Sequence, residues 1–358
     1  GRLTTANLSG NLRIEEMGWA LSGIKGSVDT STINAALSGS TAPFSLDLAQ
    51  VDIDQLNLDA YWPEPVLPQD NEASSEPLPN IEVALNVGSL QWLHRSFTDL
   101  KTQILVSGND LAVRDFAVKH DGGALAGTIN IKGQGGPNGL ASDIEGRVQY
   151  TNWAYPAVRS LSPEAGAVLT GFAGNEPITG VLSLSGPSNA VQAQVIATAG
   201  NNKAEFAGTL SIDNPLQFEL QGTLNHTNAL AMGSALPDVD MPKGVLPVAL
   251  NINADGTESA VNFRASGQAA GHQLDVSGQY EQEKTTVDFS MSMTSGVSPE
   301  LQQIDDAYIG FFDVAQPSRA RFVMEYTDSQ ISVANVDINS GAMRISGGGR
   351  LTGNIVDG

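Results

Sequence analysis

The chain contains no cysteine. A disulfide framework, a thiolate metal site and a cysteine nucleophile are thereby excluded. Bases are scarce, with 18 Lys and Arg against 39 Asp and Glu and a formal charge of −21. Such a chain repels phosphate backbones and anionic leaflets, so it carries no electrostatic footprint for nucleic acid or for charged membrane surfaces. Aromatics are 6% of residues against 41% hydrophobic. The apolar surface must therefore be built from Ala, Val, Leu and Ile. No apolar run is long enough to cross a bilayer as a helix, and no stretch reads as a signal peptide. Gly1 rather than Met opens the sequence, which reads as a processed or excised fragment whose amino-terminal anchor would lie upstream.

What is present is alternation. The 358 residues correspond to two or three ordinary domains or to one elongated body. Apolar residues recur with period two in Phe44/Leu46/Leu48, Ile81/Val83/Leu85/Val87, Thr102/Ile104/Val106, Leu216/Phe218/Leu220, Val287/Phe289/Met291 and Met343/Ile345, the pattern of half-buried strands. Polar turns such as Ser107–Asp110, Ala199–Asn202 and Ala254–Gly256 separate them. The reading is an antiparallel meander with little helix. Short helices are expected over Pro156–Leu169, Thr227–Leu236 and Pro299–Ala307, the last with Ser298 as cap and Pro299 at its first position.

A tripeptide of apolar residue, Ser or Ala, and Gly recurs as Leu37-Ser38-Gly39, Leu125-Ala126-Gly127, Phe206-Ala207-Gly208, Val276-Ser277-Gly278 and Ile345-Ser346-Gly347. It reads as the end of each strand. Its last three glycines are 70 and 69 residues apart, so the repeat is a multi-strand sheet unit rather than a short solenoid coil. Residues 63–79, rich in proline and acids, read as an inserted, solvated linker that a short Gly-Ser replacement should leave dispensable.

Catalytic and metal motifs are weak. Asp52, Asp54 and Asp59 fall within eight residues, but position five of a calcium loop starting at Asp52 is Leu56 and position six is Asn57, not Gly. In a strand, Asp52 and Asp54 share one face while Val51 and Ile53 share the other, so the aspartates read as the wet side. His94, His120, His226 and His272 lack metal-ligand spacing. The residues around Ser188 break the nucleophile-elbow pattern at Ala190, and Gly347-Gly348-Gly349-Arg350 lacks the lysine of a phosphate loop. No catalytic residue, metal ligand or cofactor site is assigned. The dry face is then the informative one, either covered by a second sheet in a sandwich or left open as an interaction surface.

The segment FSLDLAQVDIDQLNLDAYWP, then a Pro-rich acidic gap and IEVALNVGSLQW, resembles the AsmA family of bacterial envelope proteins. The likeness lies in Asp59-Ala60-Tyr61-Trp62-Pro63 after a strand pair, and in residues 99–133 with Gly122, Gly123 and Gly127 closing a hairpin. It is strongest over residues 1–150, with linker 63–79, and continues over 151–358 as generic strand–glycine units. The resemblance implies an elongated, twisted antiparallel sheet folded lengthwise into a taco-like apolar groove. It also implies a non-enzymatic bridge carrying phospholipid acyl chains through the periplasm of a Gram-negative bacterium, anchored in the inner membrane, with outer-membrane or periplasmic proteins as partners. Alternation nominates Val51, Ile53, Val83, Leu85, Ile104, Val106, Val195, Phe206, Phe218, Leu220, Val276, Phe289, Phe322 and Ile345 as groove lining. Two other classes stay open: a scaffold or chaperone for outer-membrane protein assembly that receives strands at its sheet edges, and a glycan-active β protein with a carboxylate pair beside exposed aromatics.

Overall fold

The computed structural model describes residues 5–42, 45–61, 78–92, 94–133, 143–153, 172–174, 176–212, 216–229, 245–257, 259–270, 272–281, 284–293, 318–327, 330–340 and 343–352. Strand accounts for 85% of the described residues and helix for 2%, so the fold is all-β as the alternation requires. The twenty strands belong to one open sheet that does not close into a barrel. Two compact units divide the chain, Gly1–Ser160 with Ile178–Val191, and Leu161–Pro177 with Gln192–Gly358.

The first unit holds β1 (Ala6–Ile14), β2 (Gly18–Val28), β3 (Ser31–Ser40), β4 (Leu46–Asn57), the single-turn α1 (Leu58–Tyr61), β5 (Leu78–Trp92), β6 (Arg95–Gly108), β7 (Asp110–His120), β8 (Gly123–Lys132), β9 (Asp143–Trp153) and β10 (Ile178–Pro187). Each strand pairs with the next, antiparallel at every step but one. The exception is β4 with β5, which run parallel with Val51 beside Leu85 and Ile53 beside Val87. A parallel pair cannot be joined by a hairpin and needs a long crossover. The expected linker 63–79 occupies that place, although its last two residues, Leu78 and Pro79, already belong to β5. Residues 63–77 lie outside the described residues. Asn57 caps α1 by accepting from the Ala60 amide at 3.3 Å, and Asp59 Oδ2 accepts from the His94 amide at 2.8 Å, tying this corner to the β5–β6 turn. Beneath it Val87, Leu90 and Phe97 form a small buried core with Ile53, Leu85, Leu100 and Val118 around it.

The second unit holds β11 (Val191–Ala199), of which the first residue belongs to the other unit, β12 (Asn202–Ser211), β13 (Gln217–His226), β14 (Val248–Thr257), β15 (Ala260–Ala269), β16 (His272–Glu281), β17 (Lys284–Met293), β18 (Ser318–Thr327), β19 (Gln330–Ser340) and β20 (Met343–Thr352). From β12 to β20 the strands pair in chain order, all antiparallel. Ile178, Val248 and Ser318 open β10, β14 and β18 at 70-residue intervals, so the repeat read from the glycines is four strands and one long connection.

Three expectations need correction. Of the glycines of the repeated tripeptide only Gly39 stands at a strand end, in β3, whereas Gly127, Gly208, Gly278 and Gly347 sit within their strands. Ala254-Asp255-Gly256 is not a turn but the late part of β14, where Gly256 pairs with both Phe218 and Val261. Leu48 does not share the dry side, being half exposed opposite Ser38 while its neighbour Ala49 is buried. The expected helices Pro156–Leu169 and Pro299–Ala307 lie outside the described residues. So does Thr227–Leu236 beyond Ala229, and residues 227–229 form a bend and turn.

Candidate functional site

Residues paired across a ladder point to the same side of a sheet. In the second unit this rule, followed strand by strand, sorts every residue from β12 to β18 onto two faces. One carries Phe206, Leu210, Phe218, Leu220, Leu224, Leu250, Ile252, Val261, Phe263, Leu274, Val276, Val287, Phe289, Met291, Phe322 and Met324. The other carries Glu205, Thr209, Glu219, Gln221, Asn251, Asn253, Asn262, Arg264, Asp275, Asp288, Ser290 and Arg321. No Asp, Glu, Lys or Arg of these strands falls on the apolar face. Most of its side chains are only partly buried, in keeping with a face over which the described residues lay no second sheet. Phe289 stacks on Phe322 with ring centroids 4.7 Å apart.

The first unit is sorted in the same way. Ile33, Val51, Ile53, Val83, Leu85, Ile104, Val106, Leu111, Val113, Ile129, Ile131, Ile144, Val148, Leu182 and Leu184 share one face through successive register pairs. Alternation slips at β-bulges, where Asp99 and Asp115 adopt left-handed φ of 55° and 49°. An Asp tolerates that conformation, and the extra residue returns the apolar set to its own side. Val113 and Phe116 thus share a face although they are three residues apart.

All six lining candidates of the first unit, Val51, Ile53, Val83, Leu85, Ile104 and Val106, fall on that face. In the second unit Phe206, Phe218, Leu220, Val276, Phe289, Phe322 and Ile345 fall together. Val195 belongs with them by alternation from Gln192, whose Nε2 donates to Thr209 Oγ1 on the polar side at 3.1 Å. Sequence reasoning missed Leu250, Ile252, Phe263 and Leu274, whose strands alternate just as clearly. It also missed the role of the glycines. Trp19 pairs with Gly39, Phe116 with Gly127, Phe206 with Gly222, Phe218 with Gly256 and Phe263 with Gly278. A Cβ on Gly222 would stand 2.5 Å from Phe206 Cδ1, and one on Gly278 would stand 2.5 Å from the Thr286 carbonyl oxygen. At these positions the ring or backbone of the neighbouring strand occupies the glycine's space, so the face stays low and free of knobs.

One end of the second unit's apolar face is closed. Asn202, His226, Val248, Ala269 and His272 stand at the same end of consecutive strands and all are buried. The Phe172 carbonyl accepts from Asn202 Nδ2 at 2.8 Å and from His226 Nε2 at 3.1 Å. His226 Nδ1 accepts from the Asn228 amide at 2.9 Å, so the ring is the neutral Nε2-protonated tautomer. Asn202 Oδ1 accepts from the Thr227 amide, and the Ala270 amide donates to the Pro247 carbonyl. His120 of the first unit is similarly buried, its Nδ1 2.7 Å from the Ser96 carbonyl and its ring against Phe97. These histidines are structural posts.

The aspartates of β4 face away from the apolar side. Asp52 Oδ1 accepts from Asn86 Nδ2 at 2.7 Å, and Asp54 Oδ1 accepts from the Thr32 and Gln55 amides at 2.6 Å each. The Thr32 N–H holds the Asp54 carboxyl below the usual carboxylate range. Among the described residues no three His, Asp or Glu gather to hold a metal ion, and no helix is long and apolar enough to cross a membrane. No family model, curated protein or solved structure matches this chain, so the likeness to the AsmA family rests on the residues quoted above.

Proposed function

We propose that the chain is a non-enzymatic lipid carrier of the bacterial periplasm, whose apolar sheet face holds phospholipid acyl chains between inner and outer membranes. One observation carries the reading. The second unit presents an apolar face seven strands wide, from β12 to β18, with no Asp, Glu, Lys or Arg on it and, among the described residues, no second sheet over it. A surface of that kind is costly to leave in water. An acyl chain laid on it gains about 0.8 kcal/mol per CH₂ removed from water. The occupant must be apolar, pliable and tolerant of a face made of small and flat side chains, and hydrocarbon meets all three demands. The polar face, which carries Glu205, Glu219, Asp275 and Asp288, keeps the other side wet. The likeness of residues 44–63, 81–92 and 99–133 to the AsmA family supports the same assignment.

The experiment is native mass spectrometry of protein purified from an envelope fraction, with organic extraction and identification of what is released. Phospholipid bound in defined stoichiometry is the expected result. Apo protein that takes up no lipid from phosphatidylethanolamine and phosphatidylglycerol vesicles would overturn the assignment.

A further inference from the structure

The lipid-carrier reading leaves open how a tail lies on the sheet, and the two ends of the second unit's strands are not equivalent. At one end Asn202, His226 and His272 are buried, and Asn202 and His226 share the Phe172 carbonyl. At the other end the large hydrophobics are in water, with Ile212 51% and Tyr280 40% exposed. We infer that acyl chains, if the carrier reading on which this rests is right, lie along the strands with their methyl ends toward the Asn202–His226–His272 row and their headgroups at the Tyr280 end.

Two physical arguments fix the direction. The apolar positions of β14 run from Val248 to Gly256, about 26 Å at ~3.3 Å per residue. That exceeds the ~15 Å of one leaflet's hydrocarbon, so a tail fits along a strand without crossing the ladder. A headgroup, charged and hydrated, cannot be buried unpaired. The latched end has its polar atoms already engaged, since Asn202 Oδ1 accepts from Thr227 and His226 Nδ1 accepts from Asn228. Among the described residues of β12 to β18, no Lys or Arg lies on the apolar face to pair with a phosphate there. The opposite end opens to solvent and carries the Thr257 and Ser259 hydroxyls, 3.2 Å apart.

The absence of cysteine makes the test clean, because a single introduced cysteine is a unique label site. Leu250→Cys lies near the latched end and Val261→Cys near the open end, both on the apolar face, while Asn251→Cys lies on the polar face. Each full-length variant is labelled with bimane and loaded with phosphatidylcholine carrying a nitroxide either near the carbonyl or near the terminal methyl of its tail. The expected result is greater loss of fluorescence at residue 250 with the methyl-end nitroxide, greater loss at residue 261 with the carbonyl-end nitroxide, and no loss at residue 251. Equal or reversed losses at 250 and 261 would overturn the orientation while leaving lipid binding intact. Loss at neither position with either probe would overturn the carrier reading and the orientation with it.

Discussion

Replacing residues 62–77 by four Gly-Ser residues is expected to unpair the parallel β4 and β5 and to destabilise the first unit by more than about 4 kcal/mol, beyond the usual range for local changes. This is contrary to the expectation from composition that a short Gly-Ser segment can stand in for the linker. The reason is direction. Asn57 pairs with Gln91 and Leu46 with Ile81, so the chain leaves β4 near the end of β5 and must re-enter at Leu78. From Gln91 back to Leu78 is roughly 40 Å at strand rise. Four residues reach at most ~14 Å, whereas the native segment is long enough. The ladder that sets Val51 on Leu85 and Ile53 on Val87 would be lost, and with it the burial of Ala49 and Val87. A Gly-Ser segment of native length should restore pairing, because the need is for reach and not for the prolines and acids. Chemical denaturation with hydrogen exchange at the Val83–Val87 amides measures both. Wild-type stability in the short-linker variant would show that the parallel register is wrong.

Gly222→Ala is expected to cost about 3 kcal/mol, at the upper end of what overpacking usually costs. Its Cβ would meet Phe206 Cδ1 at 2.5 Å and the Glu205 carbonyl oxygen nearer still. The ring could turn, but the carbonyl belongs to the β12 strand that pairs with β13 and cannot yield without opening the ladder. Gln221→Ala, one residue away on the polar face, should stay within ~0.5 kcal/mol. Equal midpoints for the two variants in urea would mean that no close approach exists at Gly222.

These two positions mark where the sequence was silent. Period-two alternation placed Ile104, Phe218 and Phe289 on shared faces because side-chain direction in a strand is a local property. Strand direction is not local, and nothing in the residues of β4 or β5 states that they run parallel; only the length of the intervening segment hinted at it. The Asp255-Gly256 pair carries a strong hairpin signal, yet Gly256 is needed where the backbones of β14 and β15 approach closely. A dipeptide cannot distinguish the two uses of glycine. The bulges at Asp99 and Asp115 were equally hidden, since their left-handed φ answers a demand from neighbouring strands. The latched end depends on Phe172, Asn202 and His226, residues up to 54 apart in the chain, and no local pattern joins them.

The central claim, that the dry face and not the aspartates carries function, is tested most directly by charging each side in turn. Ile104→Asp and Phe218→Asp place an unpaired carboxylate among Val83 and Val113 in one case and beside Leu210 and Gly256 in the other. A charge there costs several kcal/mol against hydrocarbon. Asp52→Asn with Asp54→Asn keeps an acceptor oxygen for Asn86, Thr32 and Gln55 and removes only charge. The measurement is photo-crosslinking of a diazirine-tailed phospholipid to each variant, with circular dichroism confirming that each remains folded. Loss of crosslinking in the two apolar-face variants and its retention in the double Asn variant is the predicted result. Loss in the double Asn variant with full crosslinking in Ile104→Asp and Phe218→Asp would contradict it and move the site to the polar face.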